Sequence, residues 1–324
     1  MQYRKRFAQY RIMWSDARRT GRWIALGALV VAVILAVSAC GGGGDGSDGT
    51  SDGGSSADSG KTSFNIGVTS FGQGLPITEF IQENVQAKYG ITIKTTVIND
   101  EVQANEAVNS GELDGDIAQN TGILGQQRAA RHIGLTAAAP IYSPLIGIYS
   151  KTAESADELP EGATVAIPND PADIAHSLDA LSQWGLIKLD PKVSPTLATT
   201  SDIVSNPKNI ELKEVEGPTL TRVFDDVDAA VVLVFFWDSS DQPESYLRAS
   251  YSSGASRFAT ILALRDEDVD KPEYKKLIAA YEDPAVLQFI AKTFKGASTP
   301  VPPEVAKKFW PTTGEQYAEE EEAG

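Results

Sequence analysis

From Phe64 onward the apolar residues switch repeatedly between a period of two and a period near 3.6. No other feature limits the fold as much. Phe64, Ile66 and Val68 alternate as a strand, and Ile77, Phe80, Ile81, Val85 and Tyr89 follow at helical spacing. Ile91 to Val97 is β-branched and reads as a second strand. Glu101 to Asn109 then reads as a helix ending at Gly111. After Leu159-Pro160 the pattern resumes, with Ala163–Ile167 as strand and Pro171–Trp184 as helix closed by Gly185. Ile210–Val215, Thr219–Phe224 and Ala229–Phe236 continue it. Phe258–Leu264 is another apolar strand, followed by helices at Glu273–Tyr281 and Pro284–Phe294. Repeated βα units predict an α/β protein with mostly parallel sheets flanked by helices, and ligands at the carboxyl ends of the strands. Two such runs, each of domain size, predict two lobes with a ligand cleft between them.

What precedes Phe64 is a different kind of polymer. Residues 1–39 hold seven basic side chains and one acid, Asp16, whereas the whole chain of 324 residues has 28 Lys+Arg and 44 Asp+Glu. The basic region leads into Trp23–Val37, an uncharged apolar run of 15 residues. That is short of the roughly 20 needed to cross a bilayer, and its small-residue exit fits an export signal. Val37-Ser38-Ala39-Cys40 resembles a bacterial lipobox, which makes Cys40, the one cysteine, the expected lipidation site. Gly41–Gly60 lacks any apolar residue larger than Ala57 and cannot offset its ordering entropy by burial. It predicts a flexible tether with a reach of ~25 Å. The expected organisation is a signal peptide at 1–39 and a lipidated cysteine with its tether at 40–61. Residues 62–150 with 257–310 form the first lobe and 151–256 the second, before an acidic tail at 311–324.

Composition excludes several functions. A net charge of −16 argues against nucleic acid, which recruits clustered Lys and Arg. One cysteine and two histidines leave no disulfide framework and little scope for a metal site, so neither metal nor cofactor is expected. No H-E-x-x-H, Walker or G-x-S-x-G pattern occurs, so the chain is not read as an enzyme. Gly72-Gln73-Gly74 is a two-glycine turn after a strand, read as ligand-facing or as a plain tight turn.

Several collinear motifs carry a resemblance over about residues 64–300. Ile66-Gly67-Val68, Gln103 with Asn105-Glu106-Ala107, and Gly111-Glu112-Leu113-Asp114 resemble the first lobe of the NlpA-type methionine-binding lipoproteins. Ala163-Thr164-Val165-Ala166-Ile167-Pro168-Asn169-Asp170-Pro171 resembles that family's second-lobe signature. Gly185 to Leu189, Asn206-Pro207-Lys208-Asn209, Asp225 to Val231 and Gly296-Ala297 continue in order. The resemblance implies a type II periplasmic-binding-protein-like fold. It also implies an extracytoplasmic solute-binding protein, a monomer on the outer face of the membrane, that serves an ABC permease and its ATPase.

The pocket positions depart from the family. Glu101 stands where the family's D-Y-V-Q-P-N motif has an aromatic, and Ala118 and Asn120 replace the aromatic and histidine of Y-F-Q-H. His176 takes the place of the arginine in N-E-G-R that the family uses for the ligand carboxylate. Phe235 and Thr260 replace two asparagines. Arginine pairs bidentately with a carboxylate, whereas a neutral histidine donates one bond. Glu101 and Asp173 add negative charge. The expected ligand is therefore a small amine-bearing or otherwise amino-acid-like compound rather than free methionine. Expected contacts are Glu101, Ala118, Asn120, Asn169, Asp173, His176, Phe235, Trp237 and Thr260. Two alternatives stand beside this: a methionine receptor as in the family, and a surface lipoprotein of the same fold without a transport role.

Overall fold

The computed structural model describes residues 61–193, 197–252 and 258–303. The expected leader, Cys40, the tether through Gly60 and the acidic tail lie outside the described residues. The chain opens with β1 (Ser63–Val68), α1 (Gly74–Asn84), β2 (Thr92–Val97), α2 (Glu101–Ser110), β3 (Gly115–Ile117) and α3 (Thr121–Arg131). It continues through β4 (Leu135–Pro144), β5 (Ile146–Tyr149), β6 (Thr164–Pro168), α4 (Pro171–Gln183), β7 (Lys188–Leu189), β8 (Ile203–Ser205) and β9 (Glu211–Val215). Then come α5 (Leu220–Val223), β10 (Ala229–Leu233), α6 (Val234–Asp238), β11 (Leu247–Tyr251) and β12 (Thr260–Arg265). Last are α7 (Pro272–Tyr281), α8 (Pro284–Thr293) and β13 (Ser298–Pro300).

Local chemistry explains the helix boundaries. Asp100 caps α2 by accepting from the Gln103 N–H at 2.9 Å, and Gly111 ends the helix at φ 83°, a conformation costly for residues with a Cβ. Asp170 caps α4 through the Ala172 and Asp173 N–H groups, with Pro171 in the first turn where no donor is lost. The expected strand to Phe236 is shorter. It stops at Leu233, and Val234–Asp238 turns into a short helix.

Two sheets result. The first has order β13-β4-β12-β3-β1-β2 and the second β11-β5-β10-β6-β9. Both are mixed, where mostly parallel sheets were expected. β1 pairs parallel with β2 and β3, and β6 parallel with β9 and β10, each through a helical crossover. The rest pair antiparallel. The physical cause is direct passage between sheets: β4 runs into β5 through Leu145 alone, with no helix to reverse the chain. That first crossing falls a few residues before the expected boundary at 150/151.

The strands are buried as their sequences require. Every residue of Ala229–Leu233 is buried, with Val231 and Leu233 packing in the cluster that holds Leu178 and Leu181 of α4. Val232 packs on the other face with Leu220, Phe224 and Trp237. A strand covered on both faces reads as a continuous apolar run. Among the described residues no helix is long and apolar enough to cross a membrane.

Candidate functional site

Five parallel strands finish at one place, and the segments that follow them line a single cavity of about 80 Å³. Thr69 and Phe71 follow β1, Glu101 follows β2, and Ala118 and Asn120 follow β3. From the second sheet come Asp173 and His176 after β6, and Phe235 and Phe236 after β10. Tyr142 of β4 and Thr260 of β12 complete the floor. This is the position at which α/β sheets receive ligands.

Of the nine residues expected at the site, seven line this cavity: Glu101, Ala118, Asn120, Asp173, His176, Phe235 and Thr260. Two do not. Asn169 is exposed and is not among the residues that line the cavity. Trp237 is 1% exposed, stacked on Tyr149 at 3.7 Å and edge-on to Phe224 at 4.8 Å. Its indole N–H donates to the Pro243 carbonyl at 3.2 Å, so it is a core residue. The short helix α6 is the reason: it turns Phe235 toward the cavity and Trp237 toward the sheet.

The first-lobe wall is held by a polar network. Asp116 is fully buried and accepts from the Ala118 N–H at 3.0 Å and from the Gln119 amide at 3.2 Å. Gln119 and Asn105 exchange amide hydrogen bonds, and Asn105 also donates to Gln127 at 2.7 Å. Burial pushes Asp116 up to about 7 despite these donors. Asn120 caps α3 through the Ile123 N–H at 3.0 Å and bridges to Thr260. The Thr260 hydroxyl pairs with Tyr142, whose own hydroxyl accepts the Gln73 N–H at 3.3 Å.

The carboxylates facing the cavity are different. Glu101 is pushed up to about 8, first by burial and then by the negative charges of Asp170, Asp173, Asp100 and Asp116. Asp173 rises to about 7 through burial and its neighbour Asp170. His176 is buried against Phe258, the rings stacked 4.2 Å apart with nearly parallel planes, and burial drives it down to about 3. It is a neutral imidazole at pH 7. Among the described residues no Lys or Arg lines the cavity. Among the described residues no group of three His, Cys, Asp or Glu is arranged to hold a metal ion.

A profile of the NlpA lipoprotein family matches residues 64–302. The chain belongs to that family. The D-methionine-binding lipoprotein MetQ of Salmonella typhi is 33% identical over 224 residues, 68% of this chain and 82% of the relative. That of Escherichia coli K12 is 32% identical over the same span. Among solved structures, a nutrient-binding protein from Burkholderia cenocepacia, bound to methionine, is 34% identical with a TM-score of 0.66, covering 73% of this chain and 99% of its own. A solved lipoprotein of Bacillus subtilis is 28% identical with a TM-score of 0.68, covering 74% of this chain and 98% of its own. The fold is thus that of the family's solved members.

Phe71, Tyr142, Phe236 and Phe258 also line the cavity and were not among the expected contacts. The two-glycine turn at Gly72 and Gly74 was the available signal for Phe71. Gly72 has φ 77°, and a Cβ there would sit 3.6 Å from the Tyr142 hydroxyl and 3.8 Å from the Phe235 ring. Phe258 and Tyr142 had no local signal, because antiparallel pairing across the first sheet brings them in.

Proposed function

We propose that this protein is a lipid-anchored extracytoplasmic solute-binding protein of an ABC importer. It holds a small solute between its two lobes and hands it to a permease served by a cytoplasmic ATPase. In this reading residues 1–39 are the export signal, Cys40 carries the lipid, and the segment to residue 61 is the tether. Residues 62–150 with 257–310 and residues 151–256 are the two lobes of a monomer, and no catalysis is involved. The family membership and the cavity where five strand ends converge support it.

The solute is an amine-bearing compound rather than free methionine. The observation that carries this is a cavity holding Glu101 and Asp173 with no Lys or Arg among the described residues of its lining. A ligand carboxylate entering it meets two acids and a neutral histidine. Losing one partner of a buried charge-assisted pair costs ~2–5 kcal/mol, enough to remove useful affinity. An ammonium group meets the reverse situation.

A second reading, methionine itself, is favoured by what the relatives are named for. Thermal unfolding against methionine, other amino acids, polyamines and simple amines separates the two. A solute at 100 times its dissociation constant raises stability by about 2.7 kcal/mol. Stabilisation by amines and not by methionine is the expected result. Micromolar methionine binding by calorimetry overturns the ligand assignment and leaves the importer role standing.

A further inference from the structure

The cavity's chemistry narrows the solute beyond "amine-bearing", on the reading that the cavity is the solute site. Its two free carboxylates come from opposite lobes. Glu101 opens α2 in the first lobe, and Asp173 lies in the first turn of α4 in the second. Among the described residues neither has an ion-pair or side-chain hydrogen-bond partner, unlike Asp114, Asp266, Asp268 and Asp283, which all pair with cations. Glu101 faces Asp100 on its own element, Asp116 from β3, and Asp170 and Asp173 from the second lobe. The remaining titratable groups in the lining, His176 and Tyr142, are neutral at pH 7. Two carboxyl groups, each held above its usual range, thus face one another across the cleft, and among the described residues no Lys or Arg lines the space between them.

The lobes nevertheless meet closely at this point. A Cβ on Gly122 of α3 would lie 3.4 Å from Cβ of Ala172 in α4, beside Asp173. Like charges brought together in a half-buried space repel strongly, because water no longer screens them. A positive charge placed between them converts the repulsion into two attractions. The metal alternative lacks its ligand set among the described residues.

The rest of the wall selects the kind of cation. Phe235 and Phe236 lie 4.3 Å apart with their planes tilted by 47°, and Phe71 approaches Phe236 at 6.1 Å from the other lobe. All three line the cavity, so aromatic rings as well as carboxylates border the space. Ring faces attract a cation whose charge is spread over methyl or methylene groups, most strongly when it is desolvated. The volume of about 80 Å³ suits a compact molecule. Among the described residues no cationic side chain in the lining receives a carboxylate on the same molecule.

We propose that the solute is a compact alkylammonium cation without a carboxylate, its charge clamped between Glu101 of the first lobe and Asp173 of the second and its alkyl groups lying on Phe71, Phe235 and Phe236. Glu101 and Asp173 determine specificity by reading charge, and the phenylalanines read the apolar substituents.

The test is calorimetric titration of the full-length chain in detergent with tetramethylammonium, propylammonium, methionine and neopentyl alcohol, the last an uncharged compound of similar bulk to tetramethylammonium. Wild type, Glu101→Gln, Asp173→Asn and the double variant are compared at constant ionic strength. At least one cation binds wild type, neopentyl alcohol and methionine do not, and each single substitution weakens the cation at least tenfold. The two cations differ in hydrogen-bond donors, so their ranking shows whether the carboxylates or the rings dominate. Folding is checked independently: the double variant, freed of repulsion, has a higher ligand-free thermal midpoint at pH 8.5 than wild type. Equal cation affinity in wild type and folded variants overturns the clamp. Binding of methionine or neopentyl alcohol with silence from both cations overturns the cation class and leaves the solute-binding reading intact. Silence from every solute, in this set and in the broader amino-acid and polyamine screen, overturns that reading as well.

Discussion

On the first-lobe wall of the cavity, Asp116 is fully buried and held by the Ala118 N–H and the Gln119 amide, which is itself locked to Asn105. Asp173, on the second-lobe wall, is in the first turn of α4 with the Asp170 cap beside it and no cation partner among the described residues. Both acids are pushed up to about 7, yet they do different work. The first holds the strand end after β3 in shape, because a satisfied polar network rigidifies what it joins. The second faces the cavity with its bonding capacity unspent. A similar perturbation in the two walls therefore accompanies a bonded, architectural acid in one and, on the proposed function, a recognition group in the other, and the hydrogen-bond partners tell them apart.

The same contrast divides the aromatics of α6, and it gives the largest expected effect. Trp237→Ala removes a ring packed against Tyr149 and Phe224 and costs about 3–5 kcal/mol, read from the urea midpoint. Solute affinity of the molecules still folded is unchanged. Phe235→Ala behaves in the opposite way, with a smaller loss of stability and a clear loss of affinity.

Next in size is the first-lobe network. Gln119→Ala strands the buried Asp116 and Asn105 groups and costs about 1–3 kcal/mol. If it left stability untouched and only weakened binding, the distinction between the two walls would collapse.

Gly122→Leu sharpens the comparison at the seam. The new side chain has to occupy the space against Ala172, where overpacking costs ~1–3 kcal/mol. The loss is read from the ligand-free urea midpoint.

The smallest effects concern charge. Asp170→Ala loses a helix cap, normally worth about 1 kcal/mol, but also relieves Glu101 and Asp173, so its net cost is below that of Asp283→Ala at α8. Asp170→Asn keeps the cap and raises stability slightly at pH 8. Glu101 and Asp173 hold their protons more tightly folded than unfolded, where carboxyls titrate near pH 4. The folded state binds more protons between pH 4 and 8, so the contribution of these groups falls as pH rises through that window and levels above it. Urea midpoints from pH 4 to 9 show this tilt in wild type and a shallower one in Glu101→Gln.

Much of the fold was legible because its signals are local. Phe64, Ile66 and Val68 alternate, Asp100 and Gly111 bracket a helix, and Pro171 with Asp170 opens another. Collinear motifs added the family. The strand β4 was not separately legible, since Ala137, Ala138 and Ala139 carry little β signal and only pairing with β12 and β13 makes the segment a strand. Phe235 and Trp237 were indistinguishable by sequence, two aromatics in one apolar run. Neighbouring side chains of the short helix α6 leave in different directions, which sent one to the cavity and the other to the core.

The sequence by itself determined the α/β alternation, the helix caps, the family and the presence of acids where the family has an aromatic and an arginine nearby. These follow from short-range rules: side-chain period, φ preferences and cap hydrogen bonds each act within a few residues. Only the tertiary structure decided that Glu101 and Asp173 face one cavity and that Phe258 stacks on His176. Those outcomes depend on which strands pair across the sheets and where the chain crosses between them. They bring together residues about 70 to 80 positions apart, a separation over which no local preference reaches.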